Sequence, residues 1–237
     1  MRESILKGQI KILELWVAAG KTSARAKEIL QIAEDRGIPV KFKERVVLGQ
    51  SLPGIAHQGI VAMAEGFTYV DFNTLMDMSF DAQEASLLLA ADHITDEGNL
   101  GALIRTAAFF RSHGLILPKD RSAKVTEKVR KRSAGNYVHL PITRVVNLGR
   151  ALDVLDRKGF WIIGAAGEGS ETIYQFDWKR DLVLVLGSEE RGLSRLVRSR
   201  CHQLVSIPSY GQVESLNVAV ASGIILSEIV RQRRFAG

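Results

Sequence analysis

The sequence predicts an α/β protein in which a parallel-sheet domain follows a small α/β domain. Apolar runs of strand length alternate with helical patterns from about residue 85 onward, as in a parallel sheet covered by helices on both faces. Polar and glycine-containing loops follow several of those runs. The 237 residues suffice for one or two domains at roughly 100–200 residues each.

The first segment has the pattern of a small α/β unit. Strands are predicted at 10–17, 38–42 and 59–64, and a helix that Thr22 or Ser23 caps and Gly37 ends lies between the first two. Residues 71–79 show no strong pattern, and a linker is predicted near 78–81. The predicted domains are therefore 1–79 and 80–237.

The second segment alternates strands with helices. Strands are predicted at 85–92, 114–117, 138–142, 160–164, 182–187 and 203–208. Helices are predicted at 100–110, 123–132, 148–158, 193–200 and 216–231, the last with Ser215 as its N-cap. Ligands of such sheets bind at the carboxyl ends of the strands, so the loops there are the places to look for a site.

Composition points to a polyanionic partner. The net charge is +6, and residues 105–150 hold eleven Lys or Arg against two acids, a local net of +9. Such a stripe suits nucleic acid, although a solvated helix face is the alternative. The residues predicted to contact RNA are Lys124, Lys128, Arg130, Lys131 and Arg132.

Other features exclude several classes of protein. The single cysteine, Cys201, permits no intramolecular disulfide, and a buried structural thiol is favoured over a nucleophile. There is no apolar run of membrane-spanning length, and the N-terminus lacks the apolar core of a signal peptide, so a soluble cytoplasmic protein is expected. No residues have the spacing of a metal site, and no metal is expected.

Two candidate loops lie early in the second segment. In the stretch 92–107, Asn99 either caps a helix or binds ligand, and Arg105 either forms a buried ion pair or directs its guanidinium at phosphate or ribose. In the stretch 164–169, the glycines do not match the dinucleotide fingerprint, and a plain turn is equally consistent.

Two more candidate loops follow later strands. Gly187 ends a strand where a ligand could approach the backbone, and Glu189 either caps a helix or faces a cationic ligand. After Pro208, a glycine-containing loop leads to Ser215 and Asn217, whose side chains either bind ligand or close the helix end.

Taken together, these motifs resemble those of the SpoU (TrmH-like) class of SPOUT methyltransferases. The matching stretches are Asn-Leu-Gly-Ala-Leu-Ile-Arg at 99–105, Leu-Gly-Ser-Glu-Glu-Arg-Gly-Leu at 186–193, and 207–219, which runs from Ile-Pro to Ser-Leu-Asn-Val-Ala. The resemblance covers about residues 84–233. The first segment resembles the small RNA-binding domain found in front of such enzymes, shortened by the absence of an opening helix and a Tyr-Gly pair.

The resemblance implies a C-terminal trefoil knot, an exception to the usual unknotted topology, and a homodimer with the active site at or near its interface. It implies S-adenosylmethionine as cofactor. The implied catalytic residues are Asn99, Arg105, Glu189, Ser215 and Asn217. The implied cofactor-binding residues are Gly187, Gly192, Ile207, Pro208, Leu216 and Asn217.

The implied reaction is methyl transfer to a ribose 2′-hydroxyl of structured RNA. Arg105 is assigned to charge stabilisation instead of proton abstraction, because a guanidinium with a pKa above about 12 is a poor base. Large-subunit rRNA is the favoured substrate. The alternatives are a tRNA methyltransferase, an RNA-binding homologue without activity and, more distantly, a nicotinamide dehydrogenase.

Overall fold

The computed structural model describes residues 12–20, 24–51, 57–64, 66–80, 84–212 and 215–235. The chain divides into two compact units, Met1–Thr68 and Tyr69–Gly237. No helix in the described ranges has both the length and the apolar character that crossing a bilayer requires.

The described residues of the first unit form a three-stranded sheet and two helices. Its elements are β1 (Ile12–Ala18), α1 (Ala24–Asp35), β2 (Val40–Lys43), α2 (Arg45–Ser51) and β3 (Ile60–Ala64). The strand order is β2-β1-β3, with β1 parallel to β2 and antiparallel to β3. The helix α1 buries Ala26, Ile29 and Ala33 against Leu15 and Val17 of β1.

The sequence predictions for this unit are partly confirmed. Gly37 follows α1 at φ +63°, the left-handed conformation that ends a helix and suits glycine. The helix α2 was not predicted. The caps proposed at Thr22 and Ser23 lie outside the described residues.

The second unit contains a longer series of helices and strands. In chain order its helices are α3 (Phe72–Phe80), α4 (Glu97–Phe109), α5 (Glu127–Arg132), a 3₁₀ turn (Asn136–His139), α6 (Leu148–Arg157), α7 (Arg195–Arg198) and α8 (Val218–Arg234). Its strands are β4 (Leu87–Ala91), β5 (Gly114–Pro118), β6 (Ile142–Val145), β7 (Trp161–Ala165), β8 (Glu171–Thr172), β9 (Leu182–Leu186) and β10 (Gln203–Ser206).

The seven strands form one sheet in the order β6-β5-β4-β9-β7-β10-β8, and every pairing in it is parallel. All residues of β4, β5 and β9 are buried, which is why these strands read as continuous apolar runs. The predicted parallel sheet is confirmed. The carboxyl ends of β4 and β9 are adjacent, since Ala91 pairs with Leu186. The trefoil knot stays a prediction.

The helix α3 replaces the predicted linker. Leu75 and Met76 join the core cluster of the second unit, and Val70 bridges Thr143 beside β6. A Cβ on Gly114 would lie 2.3 Å from Leu75 Cδ1, so glycine is required for this close packing. The division of the chain therefore falls between Thr68 and Tyr69, earlier than the predicted boundary at 79.

Several predicted boundaries in the second unit were wrong. The basic helix begins at Glu127, with Thr126 as its N-cap, instead of at residue 123. The stretch 138–142 is mainly the 3₁₀ turn, and the strand follows at Ile142–Val145. The segment predicted helical at 193–200 is helical only over Arg195–Arg198, and the two-residue strand β8 was not predicted.

Candidate active site

The start of α4 frees the side chain of Asn99. Asp96 is the N-cap, and its carboxylate accepts the backbone N–H of Asn99 at 2.8 Å. Asn99 therefore lies in the first turn and is not the capping residue, which removes the structural alternative considered for it. Its side-chain amide is available for contacts beyond the helix.

The loop after β9 is a tight turn that presents Glu189. Ser188 and Gly192 exchange two backbone hydrogen bonds of 3.2 and 2.8 Å, and Gly192 has φ +62°. A Cβ on Gly187 would lie 2.2 Å from the carbonyl carbon of Gly192. The glycine at 187 is thus required by the turn itself, whatever its role toward a ligand.

Asp92 fixes this turn to the end of β4. Its side chain is 1% exposed, and one carboxylate oxygen accepts the backbone N–H of Ser194 at 2.6 Å. The other oxygen lies 2.6 Å from His93 Nδ1. No role was predicted for Asp92, although an acid that directly follows a buried apolar strand needs a hydrogen-bond partner.

The start of α8 is capped by Asn217, not by Ser215 as predicted. Asn217 Oδ1 accepts the backbone N–H groups of Ala219 and Val220 at 3.0 and 3.4 Å. Ser215 lies two residues earlier and is exposed. The side-chain oxygen of an N-cap residue usually accepts the backbone N–H groups two or three residues later, and Asn is as effective in this position as Ser.

Three side chains from these three segments form one hydrogen-bonded group, the Asn99–Glu189–Asn217 cluster. Asn99 Nδ2 donates to Glu189 Oε2 at 3.0 Å, and Asn217 Nδ2 donates to Asn99 Oδ1 at 2.9 Å. Asn217 Nδ2 also donates to Glu189 Oε1, which accepts the backbone N–H of Val218 at 3.3 Å. The cluster joins residues as far as 118 positions apart in sequence, at the carboxyl edge of the sheet.

The other two predicted catalytic residues are not part of this cluster. Arg105 is exposed on α4, and its side chain makes no hydrogen bond or ion pair with a described residue. The buried ion pair considered for Arg105 is therefore wrong. Ser215 is exposed in the segment before α8 and has no hydrogen bond to either Asn of the cluster.

A cleft of about 720 Å³ opens beside the cluster. Its walls come from the ends of β4, β5 and β9 and from the beginning of α8. Its lining residues are His93, Ile94, Thr95, Asp96, Asn99, Arg121, Ser188, Glu189, Glu190, Arg191, Gly192, Ser194 and Val218. Of the predicted cofactor-binding residues, only Gly192 lines this cleft.

Gly187 lies directly after β9, in the turn that presents Glu189, and the other predicted cofactor residues lie on the loops around β10 and α8. Ile207 and Pro208 are half-buried directly after β10, and Leu216 is 45% exposed beside Asn217. None of these three makes a hydrogen bond that the structure records among described residues. Of the predicted cofactor residues, Asn217 is itself part of the cluster, and Gly187 and Gly192 belong to the turn that carries Glu189.

The basic segment differs from a uniform cationic stripe. Lys124, Lys128 and Lys131 are exposed, whereas the side chain of Arg130 is 20% exposed and lies 3.6 Å from Glu127. Arg132 is exposed, but its stem packs on α4, since a Cβ on Gly101 would lie 2.5 Å from Arg132 Cβ.

The glycines at 164 and 169 serve packing. A Cβ on Gly169 would lie 2.5 Å from the carbonyl carbon of Val205, and one on Gly164 would lie 2.7 Å from Leu193 Cδ1. A Cβ on Gly164 would also lie 2.7 Å from Leu204 Cδ2, so both glycines pack closely against β10, and the plain turn is the better interpretation of this loop.

Cys201 has the environment of a structural thiol. Burial is the main cause that raises its pKa to about 11, and the charge of Asp92 adds to the effect. A thiol with this pKa stays protonated at neutral pH and is a poor nucleophile. In the described ranges, no group of three or more His, Cys, Asp or Glu residues is placed to hold a metal ion.

Two family models match this chain. The model of the SpoU rRNA Methylase family matches residues 86–227, and the model of the RNA 2'-O ribose methyltransferase substrate binding domain matches residues 3–70. The chain is 39% identical to the 23S rRNA (guanosine-2'-O-)-methyltransferase RlmB of Pseudomonas aeruginosa, over 98% of this chain and 93% of that protein. It is 41% identical to RlmB of Haemophilus influenzae, over 94% and 91% of the two chains.

A solved structure shares the fold over nearly the whole chain. The SpoU methyltransferase AviRb from Streptomyces viridochromogenes, in complex with the cofactor AdoMet, superposes with a TM-score of 0.83 at 28% identity. The match covers 99% of this chain and 88% of AviRb.

Proposed function

Because the chain belongs to the SpoU rRNA methylase family, we propose that it transfers a methyl group from S-adenosylmethionine to a ribose 2′-hydroxyl of large-subunit rRNA. The observation that carries this proposal is the Asn99–Glu189–Asn217 cluster. It unites one residue from each of the three motifs at the edge of the sheet where ligands bind.

The cluster offers a preorganised donor and acceptor to a ribose. The Glu189 carboxylate receives three donors, from Asn99, from Asn217 and from the backbone of Val218. These contacts fix the orientation of the carboxylate. Asn99 and Glu189 both line the cleft, so the second amide hydrogen of Asn99 and the remaining lone pairs of Glu189 can hold ribose hydroxyls there.

The loops around Asn217 fit the cofactor. The backbone groups of Ile207 and Leu216 are not engaged by hydrogen bonds with described residues, and Leu216 presents an exposed apolar side chain. Backbone donors and acceptors suit a purine edge, and apolar side chains suit its faces. Bound here, S-adenosylmethionine supplies a sulfonium methyl group that the ribose 2′-oxygen takes by in-line displacement.

Arg105 supplies positive charge to the reaction in this proposal. Its guanidinium is exposed and has no partner among described residues, so it is free to bind the phosphate next to the target ribose and to stabilise developing alkoxide. Arg105 shares one face of α4 with Phe109, which is 77% exposed, four residues later.

We further propose a homodimer in which a second copy covers this face. The helices α4 and α8 pack side by side, with Thr106 near Gly223, and Val220 of α8 is 51% exposed. Exposed apolar side chains on adjacent helices are typical of a subunit interface. Phe109→Glu is expected to give monomers in analytical ultracentrifugation and to lower methyl transfer. Phe42→Glu, the same change at another exposed phenylalanine in the first unit, leaves the dimer intact. A dimer that persists in Phe109→Glu would contradict this interface.

The RNA surface includes the exposed lysines at 124, 128 and 131 together with the first unit, whose family model is a substrate-binding domain. Large-subunit rRNA is favoured over tRNA because the RlmB relatives align along almost their full length. The same proposal places the protein in the cytoplasm, where bacterial ribosomes are assembled.

Methyl transfer from radiolabelled S-adenosylmethionine to total RNA from cells that lack the protein tests this function. The expected result is label in large-subunit rRNA, on a ribose after nuclease mapping. Label in tRNA would replace the substrate and keep the chemistry. Cofactor binding without label in any RNA or in ribosomal particles would favour an RNA-binding protein without activity.

A further inference from the structure

Two residues that line the cleft, His93 and Arg121, have the left-handed backbone conformation. His93 follows β4 at φ +59°, and Arg121 follows β5 at φ +52°. The two loops are joined by a hydrogen bond of 2.9 Å from the backbone N–H of Ala123 to the carbonyl of Ile94. Residues other than glycine rarely adopt this backbone conformation. Such backbone strain is found preferentially at functional sites.

His93 is oriented by a buried carboxylate. Its Nδ1 lies 2.6 Å from Asp92, whose other oxygen holds the backbone of Ser194. With Nδ1 donating to Asp92, the second ring nitrogen, Nε2, makes no contact with a described residue. The side chain remains 39% exposed and lines the cleft. When the ring is protonated, Nε2 becomes a charged hydrogen-bond donor.

Arg121 has the same character on the neighbouring loop. Its side chain is exposed in the cleft and makes no hydrogen bond or ion pair within the described chain. The other charged groups that face His93 across the cleft are Asp96, Glu189, Glu190 and Arg191. Asp96 is engaged as the cap of α4 and Glu189 in the cluster, so neither carboxylate pairs with Arg121 or His93.

We propose that His93 and Arg121 together bind one phosphodiester group of the substrate RNA and thereby hold the target nucleotide over the Asn99–Glu189–Asn217 cluster. This inference rests on the proposed function for the identity of the ligand. A guanidinium and an imidazolium on adjacent loops supply converging charged donors to a tetrahedral anion. Phosphate contacts of this kind set the position of a nucleic acid without reading its sequence.

The salt dependence of RNA binding tests the proposal. The variants are His93→Asn and Arg121→Asn, because Asn tolerates the left-handed conformation. Arg111→Asn is the matched control, since Arg111 is exposed, has φ +56° and does not line the cleft. Binding of unmodified large-subunit rRNA made by transcription is measured against salt at about pH 5.5 and about pH 8.5, which bracket the range in which histidine side chains generally change charge.

Loss of one phosphate contact lowers the slope of log Kd against log salt by about 0.7–0.9. Arg121→Asn is expected to show this decrease at both pH values, and His93→Asn only at the acidic pH, because the neutral ring with Nδ1 donating has no second N–H. The control keeps the wild-type slope. Wild-type slopes in Arg121→Asn, or in His93→Asn at acidic pH, would overturn the proposal.

Methyl transfer is measured on the same preparations to separate the two proposals. Unchanged slopes in variants of an active enzyme refute only the phosphate contact. A folded wild-type protein that methylates no rRNA, free or in ribosomal particles, refutes the proposed function instead.

Discussion

Asn217 has two tasks in the structure, and two substitutions separate them. Its side-chain oxygen caps α8, and its amide nitrogen donates to Asn99 and Glu189. Asn217→Ser keeps an oxygen for the cap and removes the bridging donor. Asn217→Ala removes both. If the cluster positions the reacting groups, both variants lose activity, but only the alanine variant loses the cap.

The structure sets the expected magnitudes. Replacing a capping side chain by Ala lowers the free energy of unfolding by about 1 kcal/mol. In a unit of this size, the alanine variant should melt about 2–4 °C below the serine variant. The bridging hydrogen bonds are solvent-exposed, so their loss adds little to this difference. Misplacement of reacting groups by about 1 Å lowers turnover roughly 100-fold, and this loss is expected in both variants.

Calorimetry and single-turnover methyl transfer to unmodified rRNA measure the two effects, and Asn136→Ser serves as a control for the chemical change, since Asn136 lies outside the cluster. A serine variant with wild-type turnover would refute the role of the cluster. A rate loss confined to the alanine variant and parallel to its lower Tm would show that Asn217 acts only as a cap.

Three further outcomes are expected. Arg105→Ala lowers turnover roughly 100-fold without changing Tm or the cofactor Kd measured by calorimetric titration, because the side chain is exposed and unpaired; retention of more than about a tenth of the rate would contradict its role. Asn99→Ala lowers the rate with little change in Tm, whereas Asp96→Ala removes the cap of α4 and costs about 1 kcal/mol of stability in denaturant titration; a large loss of stability in Asn99→Ala would argue for a structural role. Cys201→Ala keeps wild-type activity, and alkylation of the Cys201 thiol in the native protein stays slow as pH rises from 7 to 9, because its pKa of about 11 keeps it protonated; rapid alkylation at pH 8 would contradict the buried environment.

The sequence predicted the centre of the sheet well because β4, β5 and β9 are apolar throughout. The runs at 87–91 and 182–186 are buried on both faces, and burial of that kind is visible in the sequence without knowledge of any partner. The helix α3 was missed for a related reason. Its buried positions 75, 76 and 79 and the partly buried Phe72 have helical spacing, but the last buried position is Ser79, whose hydroxyl donates to the carbonyl of Met76. Because Ser79 is polar, the buried face of α3 does not show a continuous apolar pattern in the sequence.

The predicted cap Ser215 and the considered cap Asn99 lie two and three residues from the true caps, Asn217 and Asp96. Ser215 and Asn217 are both good caps by residue type, and so are Asp96 and Asn99. The choice depends on which backbone N–H groups lie within reach of each side chain, and that depends on where the chain turns into the helix. At α4 the cap is Asp96, so the side-chain amide of Asn99 is free for the cluster. At α8 the cap is Asn217, which uses its side-chain oxygen for the helix and leaves its amide nitrogen for the cluster.

The sequence by itself determined the parallel sheet, the positive charge and the three motifs that identify the family. Only the tertiary structure decided that Asn99, Glu189 and Asn217 touch, that Arg105 is exposed and unpaired, and that His93 and Arg121 share a cleft. Periodicity and composition report local burial, which neighbouring residues in the chain largely fix. Contacts between side chains up to 118 positions apart depend instead on the order of strands in the sheet, and here that order places β9 beside β4.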